Sequence, residues 1–264
     1  MESLRPSRLL TAYFWLCAAF LLFPVVIVIP IAFGQSEFLR FPPEDPGLRW
    51  FREYFNNPVW VSATLVSLRV ALAAASIATI AGLLAALGID RSSERLRGPM
   101  TLAATLPILI PHIFVALGVF ISAIRLGLTD SEIALSFAHA AVAQPFVVLM
   151  TGAALRQIDP TFERAARVLG AGPFRAFMAA TFPSLLPAVV AAWIFAFFVS
   201  FDELIIAQFL MKGSETLPMR IWADLRLDIS PTVAAVSAIL IVVTAVALGG
   251  AELLRRRASR RLGN

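Results

Sequence analysis

The chain is 264 residues long, 59% hydrophobic and only 15% charged, with a mean hydropathy of +0.83. A water-soluble globule carries about a quarter charged residues, and here apolar runs long enough to cross a hydrocarbon core of roughly 30 Å leave no stretch for a soluble domain of useful size. The net charge of +5 does not imply nucleic acid, because the basic residues are scattered between apolar spans and form no continuous stripe for neutralising phosphates.

Taken in order, residues 1–8 (MESLRPSR) are short and basic. The apolar run 9–33 is too long for a signal-peptide core and lacks a small-residue cleavage site, so it is expected as a retained first span. Its lone Cys17 can form neither an intrachain disulfide nor a cysteine metal cluster. Residues 35–58 are polar and proline-rich, and FPPEDP followed by LRWFREYF suits a short helix lying at the membrane surface. Residues 59–89 form a second span, interrupted by Arg69, which can snorkel or bridge helices. A tight basic loop, 90–98 (DRSSERLRG), leads into a third span, 99–124, where Pro107 and Pro111 should introduce a kink beside His112. The fourth span, 132–154, carries His139 and Pro145. A polar insert, 155–183, precedes the fifth span, 184–211, and the sixth, 231–254, ends at the stop signal RRRASRR.

Six spans place both ends on one side. Fourteen arginines lie in the amino end, the 90–98 loop, the insert and the tail, against seven basic residues in the opposite loops. The positive-inside rule therefore puts both termini and the insert in the cytoplasm. The expectation is an all-α membrane protein with six transmembrane helices in one domain over residues 1–264.

The insert is the conspicuous polar stretch of a lipid-like chain. Asp159-Pro160-Thr161 is a helix start, with an acidic cap and a proline in the first turn. Residues 162–169 are good helix formers, GAGP (170–173) supplies a stop, and a second short helix is expected over 174–181 before Phe182-Pro183. Phe162, Ala166 and Leu169 share one side at helical spacing. That side either packs on the chain's own bundle, as in an ordinary amphipathic loop, or forms part of a compact knob that meets something else.

Asp202 and Glu203 stand inside the fifth span, about 27 Å along a continuous helix from Ser184 at 1.5 Å per residue. An ionisable residue at that depth costs at least ~2.5 kcal/mol and faces a cavity or a partner. One reading makes the pair a cation-attracting element of a pathway or its gate, with His112 at a pathway kink. The other pairs one of them with Arg69, Arg125 or another subunit. His139 lacks a second ligand at metal spacing and is expected as a packing residue. Ser200 lacks a histidine at recognisable spacing, so nucleophilic catalysis has no support. With no GxxxxGK[ST] run to cradle ATP phosphates and no HExxH helix, the chain itself is not expected to be an enzyme. A self-contained secondary transporter would require an inverted internal repeat, which is not seen.

The insert also resembles the EAA motif of inner-membrane permeases of binding-protein-dependent ABC importers: paired alanines, a glycine four residues later and a proline thirteen beyond. Ala165-Ala166, Gly170 with Ala171 following, and Pro183 match. Arg164 occupies the motif's glutamate position, with Glu163 one residue earlier. LPILIPHI (106–113), FAHAAVAQPF (137–146), SFDELIIAQFL (200–210) and LPMRIWADLRLDISPTVAAVSAILIVV (217–243) are similar to the second permease of spermidine/putrescine importers and their polyamine, opine and phosphonate relatives. The resemblance implies a type I importer permease fold, with a five-helix core plus an amino-terminal helix. It implies a bacterial inner-membrane chain pairing with a second, homologous but different permease, with two cytoplasmic ATPase subunits that hold ATP and Mg, and with a periplasmic solute-binding protein. Glu163, Arg164, Ala165, Ala166, Leu169, Gly170, Ala171 and Pro183 would form the ATPase-coupling element, and Asp202, Glu203 and His112 would belong to the translocation pathway. No metal and no cofactor of the chain's own are implied. A small cationic solute, most simply a polyamine, is the expected cargo, with an aminophosphonate or opine as the alternative.

Overall fold

The computed structural model describes residues 8–227 and 230–262, with side-chain surroundings through 246 and at 249. Arg5 of the basic amino end and the arginine side chains of the RRRASRR tail lie outside the described residues. Among the described residues twelve α-helices follow one another: α1 (Arg8–Ala32), α2 (Arg49–Asn56), α3 (Pro58–Asp90), α4 (Glu94–Thr105), α5 (His112–Leu126), α6 (Glu132–Leu155), α7 (Thr161–Val168), α8 (Pro173–Ala176), α9 (Phe182–Phe201), α10 (Ile205–Leu210), α11 (Leu217–Leu227) and α12 (Thr232–Leu262). No strand occurs among the described residues.

Among the described residues four helical runs are each long and apolar enough to cross a bilayer: Arg8–Ala32, Pro58–Asp90, Glu132–Leu155 and Pro173–Phe201. The expected third span is not one kinked helix. Glu94–Leu109 and His112–Leu126 meet at 92°, so they make a fifth crossing only as a bent pair. The cause is local: a 3₁₀ turn over Leu106–Leu109 runs into Ile110, whose extended backbone (φ −85°, ψ 122°) is what a residue preceding proline prefers. The sixth expected span falls in α12, whose described apolar part is Thr232–Val246.

The chain divides into two compact units, residues 1–61 with 221–264 and residues 62–220. In the first, Ala32, Trp50, Ala234, Ala235 and Ala238 form the core that joins α1, α2 and α12. Trp50 Nε1 donates to the Ser36 carbonyl at 3.2 Å, and Arg49 pairs with Glu37 at 3.1 Å, so the polar connection is tied to the amphipathic α2. Only Ala32 of α1 is buried, so its leucines and aromatics face outward along its length, as a lipid-exposed helix requires.

The second unit is built around α6, which packs along α9. Ala74, Ala75 and Ala78 of α3, Ala140 and Ala143 of α6, and Ala192 and Ala196 of α9 share one buried cluster. Small residues let helix backbones approach closely where no hydrophobic drive separates helix from lipid. Gly82 marks the tightest point: a Cβ there would lie 2.7 Å from the Val147 side chain. A second cluster holds Val66, Ala116, Leu135, Ile206 and Leu210, with α10 lying against α5. Arg69 bridges helices as one of its expected roles required, gripping Glu132 at the start of α6 with two hydrogen bonds of 2.9 and 2.7 Å.

Candidate functional site

Two polar constructions stand out in the second unit, one in the insert and one at the end of α9. In the insert, the Asp159 carboxylate accepts the Thr161 N–H at 2.8 Å where α7 begins. Hydrogen bonds from the Thr161 hydroxyl and N–H hold that carboxyl below its ordinary range. α7 ends in a glycine-dependent stop. Ala171 N–H donates to the Ala166 carbonyl and Gly170 N–H to that of Arg167, both at 3.0 Å, the two bonds of a Schellman cap. Gly170 sits at φ +92° with open space around its missing Cβ, so backbone conformation, not crowding, requires glycine.

The second short helix expected over 174–181 is not separate. Helix continues from Pro173 to Phe201, through Pro183. A π turn over Phe177–Thr181 precedes the proline, and the Phe182 N–H reaches back to the Phe177 carbonyl. The wider turn accommodates a ring that cannot donate and that would clash in a regular α-helix.

The polarity of α7 is inverted. Phe162 (68% exposed), Val168 (88%) and Leu169 (88%) face out, joined by Phe174, while Ala166 is half-buried. Glu163 turns inward, its side chain only 15% exposed. Its carboxylate accepts from Thr181 Oγ1 at 2.7 Å, from Arg167 one turn on, and from Arg91 just past α3 at 3.2 Å. Burial pushes the Glu163 carboxyl up, but the Thr181 and Arg167 hydrogen bonds and the Arg91 and Arg167 charges outweigh it and hold it below its ordinary value. Arg164, at the motif's glutamate position, is exposed, donates to the Pro160 carbonyl at 3.4 Å, and adds its charge to the field on Asp159. Glu163 thus staples α7 to the Arg91 turn and the π turn, while an apolar face is left outward. A loop packing that face on its own bundle would show the opposite pattern.

At the other construction, the continuous helix expected through Asp202 and Glu203 stops at Phe201. Asp202 is exposed, and its carboxylate has no hydrogen-bond or ion-pair partner among the described residues. Glu203 is 6% exposed, and its carboxylate accepts the N–H groups of Ile206 (2.9 and 3.0 Å) and Ala207 (3.2 Å), filling the donors left open where α10 starts. His139 Nε2 lies 3.2 Å from Oε2, an ion-pair distance though off the line of a hydrogen bond. His112 Nδ1 stands 3.9 Å from Oε1. Behind His139, Nδ1 meets Ser200 Oγ at 2.9 Å. A carboxylate can only accept, so the His139 proton belongs on Nε2 and the Ser200 hydroxyl donates to Nδ1.

Two sequence expectations change here. Glu203 takes histidines as its partners, and Arg69 is spent on Glu132. His139 is the buried, hydrogen-bonded packing residue expected, and it also faces Glu203. Ser200 does have a histidine, 61 positions away, a separation that no motif spacing reveals. The Ser–His–Glu order is that of a hydrolytic triad, but the Ser200 side chain is 3% exposed, so no acyl substrate reaches its oxygen without parting the helices. No group of three His, Cys, Asp or Glu residues suited to a metal occurs among the described residues. A cleft of about 520 Å³ between α5 and α6 is walled by apolar and small residues and excludes Asp202, Glu203 and His112.

Comparison with known proteins supplies the frame. Residues 78–260 match the binding-protein-dependent transport system inner membrane component family. A spermidine/putrescine transport system permease protein of Escherichia coli K12 is 30% identical over 243 residues, 90% of each chain. A putative 2-aminoethylphosphonate transport system permease protein of Salmonella typhimurium LT2 is 28% identical over 275 residues, 97% of this chain and 96% of the other. A bacterial alginate ABC transporter, solved in complex with its alginate pentasaccharide-bound periplasmic protein, superposes with a TM-score of 0.66 at 18% identity, covering 92% of this chain and 94% of that one. The chain belongs to the family of binding-protein-dependent transport system inner membrane components and has their type I permease fold.

Proposed function

We propose that this ABC importer permease forms half of the pathway for a small cationic solute, most simply a polyamine such as spermidine or putrescine. The observation that carries the reading is Asp202: an exposed carboxylate directly after the apolar span that ends at Phe201, with no cation of the chain's own to neutralise it among the described residues. Similarity to a spermidine/putrescine permease supports it. Glu203 and His112 then belong to the gate of the pathway, and Asp202 supplies the attraction.

The chain works in the bacterial inner membrane with both termini cytoplasmic. There it pairs with a second, different permease and with two ATPase subunits that bind ATP and Mg, and it receives solute from a periplasmic binding protein. The outward apolar face of α7, from Phe162 to Leu169, with Ala165, Ala166, Gly170 and Ala171 shaping it and Pro183 on the helix it leads into, docks on an ATPase. Closure of the ATPase dimer reaches the spans through the Glu163 staple.

The test is uptake of labelled putrescine by vesicles carrying the assembled importer. Asp202→Asn should lower uptake at least tenfold without changing assembly, and unchanged uptake rejects the role. The second reading, import of an aminophosphonate or opine, draws on the 2-aminoethylphosphonate relative. It places the solute contact on Arg220 or Arg226 and predicts that Asp202→Asn leaves uptake of 2-aminoethylphosphonate intact. An ATPase-independent secondary transporter would move solute in vesicles lacking the ATPase.

A further inference from the structure

One span of this chain is bent at 92° and another ends at Phe201 just before the short α10, and one carboxylate meets both places. Glu203 lies between α9 and α10, where it also satisfies the first N–H groups of α10. His112 opens α5 directly after the 92° bend, 3.9 Å from one Glu203 oxygen. From α6, His139 approaches the other oxygen, with Ser200 of α9 fixing the far side of its ring.

We propose that His139 and Ser200 are positioning residues that hold Glu203 as a latch between the bent span at His112 and the α9–α10 junction, and that the charge of His112 sets how tightly the latch holds. The proposal rests on reading this junction as part of a permease gate. A tie between a bend and a helix junction is useful where the helices must part and rejoin.

Burial divides the labour among these groups. The His139 and Glu203 side chains are 1% and 4% exposed, whereas that of His112 is 45% exposed. His112 is therefore the open member of the three, and the other two are enclosed by the helices. An imidazole changes charge between pH 5 and 8, and beside a carboxylate in a poorly polarisable interior that added charge is strongly felt. α10, packed along α5, has no titratable residue (IIAQFL), and α5 itself has besides His112 only Arg125 at its far end. The elements sharing its core bring Arg69 from α3 and Glu132 from α6, which are paired with each other, and His139, already assigned. Lys212, past the end of α10, stands 5.0 Å over the Phe120 ring of α5, and Arg220 of α11, whose Met219 packs on the same core, lies 4.0 Å from Glu215. Asp202 is the adjoining carboxylate, exposed beside the latch. Protonated His112 therefore tightens the latch, and neutral His112 loosens it. Because the Glu203 carboxylate also caps α10, releasing it leaves the Ile206 and Ala207 N–H groups without their acceptor and frees α10 to rearrange.

The test uses the assembled importer in proteoliposomes and reads ATP hydrolysis, which needs no identified solute. Wild type and His112→Gln are compared from pH 5.5 to 8, so that the ratio of their rates cancels the pH dependence of the ATPase itself. The ratio is expected to fall at least threefold from pH 8 to pH 5.5. His112→Lys, charged at every pH in the range, should hydrolyse at least threefold more slowly than wild type at pH 8. In a Ser200→Ala background, which withdraws support from His139 with little change of volume, the His112→Gln comparison should vary less than twofold with pH. A purely structural cluster would leave all three ratios flat. A ratio constant within 1.5-fold, or His112→Lys equal to wild type at pH 8, overturns the latch. Labelled putrescine uptake in the same vesicles separates the two proposals. A flat ratio with intact putrescine uptake removes the latch alone, and a pH-dependent ratio without putrescine uptake removes the polyamine assignment alone.

Discussion

The insert and the α9–α10 junction handle a glutamate in opposite settings. Glu163 sits outside the spans, in water's reach, and three donors from two other elements and its own helix turn it inward so that apolar residues can face out. Glu203 is buried just past the end of a span, where a lone charge is costly, and it is made tolerable by two backbone N–H groups and two imidazoles. The first carboxylate leaves an apolar surface facing outward, the one proposed to meet the ATPase. The second ties the α9–α10 junction to the bend at His112. A docking element needs a rigid base, whereas a gate needs a tie that lets go.

Truncating the two glutamates should separate these roles by size. Glu203→Ala strands His139 and the α10 N–H groups in the interior, and breaking such a buried arrangement costs about 3–5 kcal/mol. The purified permease complex should melt at markedly lower temperature, and a melting temperature unchanged within error would show the junction to be slack. Glu163→Ala removes three hydrogen bonds from a largely buried group, a loss of about 1–3 kcal/mol. It should show as faster proteolysis within residues 156–172, with the spans intact.

Proton linkage sharpens the Glu163 half. Its carboxyl is held below its ordinary value in the folded chain, so its contribution is fully present above the unfolded carboxylate value. It is lost as pH falls below that value through the folded one. The proteolytic protection of the insert should therefore be flat at neutral pH and disappear only in acid, and Glu163→Gln should abolish that acid dependence. The smallest effect on stability belongs to Leu169→Asp. At 88% exposed it should change the melting temperature little, within the ±0.5 kcal/mol expected of a surface substitution. Yet it should reduce the ATPase recovered with the permease several-fold, and normal recovery would show that the apolar face is not the docking surface.

The insert was largely readable in the sequence because its signals are local. An acidic cap before proline, a glycine after the last helical turn and a spaced alanine pair each act within a few residues, and the structure places helix, cap and elbow there. Continuity through Pro183 was missed because a proline reads as a breaker unless the preceding turn widens, and a π turn has no simple sequence sign. The inward course of Glu163 was hidden too, since Arg91 lies 72 positions away. At the junction the apolar run FVSFDELIIAQFL carries on past Phe201, so nothing in its periodicity marks the end of α9. The break is stabilised from elsewhere, by His139 on α6 and His112 on α5. Most spans were visible as apolar runs, but the third was a right-angle bend rather than a kink. Two prolines four residues apart with an extended Ile110 between them do more than one ring in a helix.

The central claim is that the insert carries the ATPase stroke to the spans, and Gly170 tests it most directly. Its φ of +92° tolerates no branched side chain without strain of about 1–3 kcal/mol, and a Cβ there meets nothing within 4 Å, so within this chain the strain falls on the elbow. In vesicles carrying the assembled importer with Gly170→Val, ATP hydrolysis and ATP-driven putrescine uptake should be measured together. Hydrolysis that persists while uptake falls at least tenfold, in a complex that still inserts and assembles, is the predicted result. Uptake at the wild-type ratio to hydrolysis would contradict the account.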